Sequence, residues 1–107
     1  MTLNEYQEKA KRTINQSGSW LDVRNHALFG LCSEVGEIQS FFQKEYQGHV
    51  IDKEELKLEV GDCMWFISEL CTAMGWTLEE VGKANVNKLL KRYPEGFDAE
   101  KSVHREV

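Results

Sequence analysis

Two stretches of the chain carry the same residues in the same order. Leu31, Glu34, Val35, Gly36, Glu37 and Phe41 are followed 25 positions later by Leu56, Glu59, Val60, Gly61, Asp62 and Phe66. Each copy sets two acids three residues apart, and residues three apart on a helix project from one face. Val35 and Val60 place both pairs beside apolar positions. Carboxylates crowded at such a margin repel one another and lose hydration, at a cost of several kcal/mol per charge unless something compensates. The natural compensation is divalent metal: one or two Mg²⁺, with oxygen ligands at about 2.0–2.1 Å. A di-iron bundle would carry Glu-x-x-His. Neither repeat has a histidine, and His26, His49 and His104 read as sharing no helical face with the acids. All-oxygen ligation favours Mg²⁺ or Mn²⁺ over zinc or iron. Such sites commonly act on phosphates, bridging phosphoryl oxygens and preparing water as a nucleophile.

Gly36 and Gly61 sit between the acids of each pair. A glycine inside an exposed helix costs about 1 kcal/mol relative to alanine, so one in each copy points to a need for room, met by close helix approach or by ligand access. Glu45, Glu54, Glu69, Glu79 and Glu80 read as surface charges or caps.

The elements that must position these acids are helices. Thr2 with Glu5 is a capping-box pattern opening a helix over about 3–15, with Leu3, Tyr6, Ala10 and Ile14 near one face. The break at Gln16-Ser17-Gly18-Ser19 precedes Asp22, read as the N-cap of a second helix over about 23–46. That helix carries Val23, Ala27, Leu31, Val35, Ile38 and Phe42 at spacings of four and three. Asp52 with Glu55 is another capping-box pattern and opens a third helix, about 53–74, with Leu56, Val60, Cys63, Ile67, Leu70 and Met74 in register. Gly75 stops it, Thr77 with Glu80 caps a fourth helix over about 78–92, and Pro94 ends that one. No sustained period-two alternation is present. The expected fold is all-α: a long antiparallel hairpin of helices two and three, with flanking helices. In that hairpin Glu37 stands ten residues before the turn at Gln47 and Glu59 seven after its end at Asp52. Their heights are then roughly 15 and 10 Å, which brings the two acid pairs to nearly one level. Phe29, Phe41, Met64, Trp65 and Phe66 widen the apolar surface beyond what one chain can cover. Assembly of hairpins into a helical bundle, as a homo-oligomer, is therefore expected.

The 107 residues suit one domain, read as 1–97, with a polar tail over 98–107 that frays. A hydrophobic content of 41% argues against wholesale disorder. A net charge of −5 provides no global field for nucleic acid. No stretch approaches the roughly 20 apolar residues of a membrane span, and the first residues lack the apolar core of a signal peptide. Cys32, Cys63 and Cys71 are odd in number with no C-x-x-C, as reduced, buried thiols of a cytoplasmic protein would be.

Glu34-x-x-Glu37 followed by Glu59-x-x-Asp62 resembles the E-x-x-E…E-x-x-D signature of the MazG-like, all-α nucleoside triphosphate pyrophosphohydrolases. The run from Asn85 through Lys88 and Arg92-Tyr93-Pro94 to Asp98 is similar to that family's closing segment. The resemblance covers roughly residues 20–98 and implies the reaction NTP + H₂O → NMP + pyrophosphate. It implies that Glu34, Glu37, Glu59 and Asp62 hold Mg²⁺ (Mn²⁺ being the alternative) and that one of them, here taken as Glu37, is the base for the attacking water. Lys88 and Arg92 share a face by their spacing of four and could neutralise the triphosphate, Arg92 by a bidentate contact. An ordinary basic helix end is the alternative. Asn85 could touch sugar or phosphate. Trp20, placed in the loop before helix two, could stack on a base or serve in the core or as a lid. Trp65 reads as core, and His26 as a hydrogen-bonded helix histidine rather than a ligand. The family resemblance favours house-cleaning of non-standard or excess (deoxy)nucleotides by a dimer or tetramer. The alternatives are a dUTPase-like or phosphoribosyl-ATP pyrophosphatase-like hydrolase, and a non-catalytic helical module that binds metal or nucleotide.

Overall fold

The computed structural model describes residues 1–104, and these contain α-helices and no strand. The helices are α1 (Leu3–Lys11), α2 (Trp20–Tyr46), α3 (Lys53–Met74), α4 (Leu78–Arg92) and α5 (Ala99–Val103). Thr2 and Thr77 accept from the backbone N–H of Glu5 and Glu80, and each glutamate reaches back to its cap, so two of the three expected capping boxes form, while at Asp52 the Glu55 side chain makes no return bond. The start of α2 differs from expectation. Ser19 is the N-cap and Asp22 its reciprocal partner, which draws Trp20 and Leu21 into the helix. Serine and aspartate three apart satisfy two orphan N–H groups at once, whereas Asp22 alone would satisfy fewer. Asp52 caps α3 by accepting from Glu54 and Glu55 N–H, and Gly75 ends it at φ 76°, where a side chain would be strained. The first helix stops at Lys11 rather than 15; Thr13 Oγ1 donates to the Ala10 carbonyl at 2.7 Å and turns the chain so that Ile14 is buried. Downstream of Asp98, read as frayed tail, the Asp98 side chain accepts from Glu100 and Lys101 N–H and caps α5.

Helices α2 and α3 pack along their length, with α1 on α3 and α4 on α1. His26 near the start of α2 meets Glu69 near the end of α3. Glu34 further along α2 meets Glu59 and Asp62, so the two helices run in opposite directions. Between those levels a Cβ at Gly30 would overlap the Phe66 ring. Gly30 is therefore the glycine that close helix approach requires, whereas Gly36 and Gly61 face open space.

The buried apolar core is small: Ala10, Ile14, Ala27, Cys71 and Leu78. It lies around the packing of α1 against α3 and α4, with Ala27 from α2. Val35, Phe42, Val60 and Ile67, expected in the core, are exposed, as are Leu28, Phe29, Leu58 and Met64. Cys32 is likewise exposed, contrary to its reading as a buried thiol, while Cys71 is buried. The radius of gyration is 17.0 Å, against about 13 Å for a compact chain of this length. The helices thus form an open frame.

One polar side chain ties three helices together. Buried Gln7 donates to Thr72 Oγ1 (3.2 Å) and to the Trp76 carbonyl (2.9 Å), and accepts from Leu78 N–H (2.7 Å). Removing it leaves buried groups unpaired, at about 1 kcal/mol or more each. Gln7→Ala is therefore expected to lower the unfolding free energy by about 2–4 kcal/mol, read from the urea midpoint at constant slope. A change within about 0.5 kcal/mol would mean that water replaces Gln7 without loss.

Candidate active site

Local structure delivers the acids to one place. Glu34 rides on α2; Glu59 and Asp62, one turn apart, ride on α3. Each offers an oxygen, and the three lie within 4.8 Å of one another. Octahedral ligands at about 2.0–2.1 Å from Mg²⁺ are about 3–4 Å apart, so small side-chain rotations would gather this set around a cation. The fit has independent support. Glu34 Oε2 is buried without a hydrogen-bond partner among the described residues, an orphaned acceptor that a proton, a water or a cation would satisfy. A hydrogen bond shared with Glu59, then burial, then the negative charges of Glu59, Asp62 and Glu37 push the Glu34 carboxyl up to about 7. The field reaches further. Burial, then Glu34, Asp62 and Glu59, raise the Cys63 thiol; burial, then Asp62, raise the Tyr6 phenol on α1.

Glu37, one turn beyond Glu34, is exposed and stands outside this close triad. The structure therefore brings three of the four expected ligands together and leaves the fourth beside them. A Cβ at Gly36 or Gly61 would meet nothing within 4 Å, so no neighbouring helix requires either glycine.

Glu69, read as a surface charge, is only 2% exposed, and both its oxygens lie against His26 Nδ1, at 2.8 and 2.9 Å. The His26 ring also meets Phe66 at 5.6 Å and Trp65 at 6.2 Å between centroids. Trp65 is half-buried, and its Nε1 donates to Thr13 Oγ1 at 2.8 Å.

The model of the MazG nucleotide pyrophosphohydrolase domain matches residues 25–97, most of the chain and all four acids. The chain belongs to the MazG family. The Gene 37 protein of Mycobacterium phage L5 is 30% identical to this MazG-family chain over 105 residues, covering 90% of it and 92% of the phage protein. No solved structure matches. Family membership carries nucleotide pyrophosphohydrolase activity in general, and α1 and Trp20 lie outside the matched stretch.

The remaining expected contacts of the MazG chain are placed as follows. Asn85 and Lys88 are exposed on α4; Arg92 is half-buried at its end, with its guanidinium 5.9 Å from the centre of the Tyr93 ring. Among the described residues neither Lys88 nor Arg92 forms an ion pair. Arg92 Nε is buried without a partner. Trp20 is the first residue of α2 rather than a loop residue, and Arg24 stacks 5.8 Å from its ring centre. It stands fourteen residues from Glu34, about 21 Å of helix, beside a cleft that also includes Ile14, Val23 and Thr72. That position suits a lid or lining role.

His26 is the hydrogen-bonded helix histidine expected from the sequence, whereas Gln7 and the burial of Glu69 were not expected. A signal for Glu69 exists: it stands seven residues after Asp62 within the apolar run of α3, which returns it to nearly the same direction.

Proposed function

We propose that this chain hydrolyses nucleoside triphosphates, deoxynucleotides among them, to the monophosphate and pyrophosphate with Mg²⁺ or Mn²⁺, in house-cleaning of the nucleotide pool. The Glu34, Glu59 and Asp62 oxygens gathered within 4.8 Å, with a buried Glu34 oxygen unpartnered among the described residues, carry this reading. Glu34, Glu59 and Asp62 hold the cation, and Glu37 borders it as a fourth ligand or through water. The bound cation supplies polarisation of phosphoryl oxygens and a more acidic water. Glu37, exposed and outside the triad, accepts the proton of the water whose oxygen bonds to the α-phosphorus. The bond from that phosphorus to the bridging oxygen breaks, and pyrophosphate leaves with its electron pair. Lys88 and Arg92 neutralise and orient the triphosphate, and Asn85 makes a polar contact to its sugar or phosphate.

Pyrophosphate release across a panel of ribo- and deoxynucleoside triphosphates with Mg²⁺ tests the reading. Release of orthophosphate instead would move the attack away from the α-phosphorus, and tight metal binding with no turnover would make the chain a binding module. Lys88→Ala is expected to raise KM with kcat little changed; unchanged constants would return Lys88 to an ordinary surface charge.

The same reading includes a homo-oligomer. Phe29 is 73% and Leu58 70% exposed on the two hairpin helices, and large apolar side chains left this open on both helices call for cover. Residues 1–97 act as the folding unit of that assembly. A molar mass of a dimer or tetramer by light scattering at micromolar concentration is expected, and a monomer would overturn this part.

A further inference from the structure

Glu69 needs a partner because it is buried, and His26 supplies one. A purely structural pairing would end there, but three observations extend it. The first is exposure: the Glu69 side chain is 2% exposed, whereas that of His26 is 61% exposed. With Nδ1 turned to the carboxylate, Nε2 on the opposite edge of the ring is left without a protein partner among the described residues.

The second is register. Glu69 follows Asp62 by seven residues on α3, and His26 precedes Glu37 by eleven on α2. At about 100° per residue both spacings return to within about 20° of the same direction. His26 therefore shares a direction with Glu37, beside the triad, and stands about 80° round the helix from Glu34, eight residues on. The dyad stands about 10–12 Å along the hairpin from the acid triad, with Gly30 and Phe66 at the intervening step.

The third is chemistry. The rings of Trp65 and Phe66 lie beside His26, and Glu69 offsets any positive charge on it. That suits a planar heterocycle rather than a second phosphate group, which would require surplus cation.

We propose that His26 contacts the base of a nucleotide whose phosphates lie at Glu34, Glu59 and Asp62, with Glu69 as the positioning residue that fixes its tautomer. This rests on the nucleotide reading above. A carboxylate accepts, so the Nδ1 proton is donated to Glu69 and Nε2 presents a lone pair. It accepts from an amino or imino N–H of the base. A base without a donor on that edge leaves Nε2 unpaired, which is how hydrogen-bonding sites discriminate.

The test compares bases. KM for nucleotides of each base is measured for the wild-type chain and for the double variant His26→Leu with Glu69→Leu. That pair of changes removes the buried charge together with its partner and so avoids an uncompensated carboxylate. KM differences among bases are expected to shrink about tenfold, while inhibition by inorganic tripolyphosphate, which has no base, stays the same. Should the double variant fail to fold by circular dichroism, His26→Gln serves in the same comparison. A uniform change across bases, or none, overturns the contact. If the wild-type chain releases pyrophosphate from no nucleotide, the hydrolase reading fails separately. The contact is then read from the His26 ¹⁵N resonances with α,β-imido nucleotides. A response of Nε2 to nucleotide but not to tripolyphosphate supports it, and an equal response to both or to neither overturns it.

Discussion

Asp62→Asn is expected to lower pyrophosphate release by more than about 100-fold while leaving the helical circular dichroism spectrum unchanged. Asparagine matches aspartate in size, and Asp62 is exposed, so packing is conserved. What disappears is one of three anionic oxygens held within 4.8 Å. Losing a supporting group behind a metal ligand costs about 10–100-fold, and losing a ligand should cost more. Mn²⁺ affinity is expected to fall in parallel, and the metal-free variant should melt slightly higher than wild type because repulsion is relieved. Glu37→Gln provides the contrast. If Glu37 is the base beside the triad, turnover falls by about 10²–10⁴-fold with Mn²⁺ binding largely kept. Near-native activity in either variant removes that residue from the site.

The second large effect is the dependence of stability on pH and metal. Glu34 is raised from 4.5 to about 7 in the folded chain. A carboxyl raised on folding stabilises the fold while protonated. Its contribution is fully present below about pH 4.5 and is lost as pH rises through about 7. The metal-free chain is therefore expected to melt at lower temperature near pH 8 than near pH 5, and Glu34→Gln should flatten that trend. Metal takes the place of the proton, so its stabilisation should grow with pH across the same window. A cation at a hundredfold excess over Kd adds about 2.7 kcal/mol, on the order of 10 °C for a chain of this size. A melting temperature indifferent to Mg²⁺ and Mn²⁺ near pH 8 would remove the metal site.

Much of the frame is written locally. Thr2 with Glu5 and Thr77 with Glu80 cap the helices they were expected to cap, because a capping box is complete within four residues. The echo of Glu34/Glu37 in Glu59/Asp62 is legible for a similar reason: spacing of three sets a helix face. The start of α2 was misplaced because two overlapping signals, Ser19 and Asp22, compete for one cap, and the one that engages both residues wins. The apolar positions Val35, Phe42, Val60 and Ile67 show the limit of periodicity. Spacing tells which residues share a face, not whether anything within the same chain covers it.

By itself, then, the sequence determined the helices, their caps and the two acid pairs, since all of these depend on hydrogen bonds and directions within a turn or two. Only the tertiary structure decided that Glu37 stands outside the triad, that Gly30 rather than Gly36 or Gly61 admits a neighbouring helix, and that Glu69 is buried against His26. Those outcomes depend on which residue of one helix meets which residue of another at a crossing. That is set by the packing of whole helices, to which no single stretch of sequence has access.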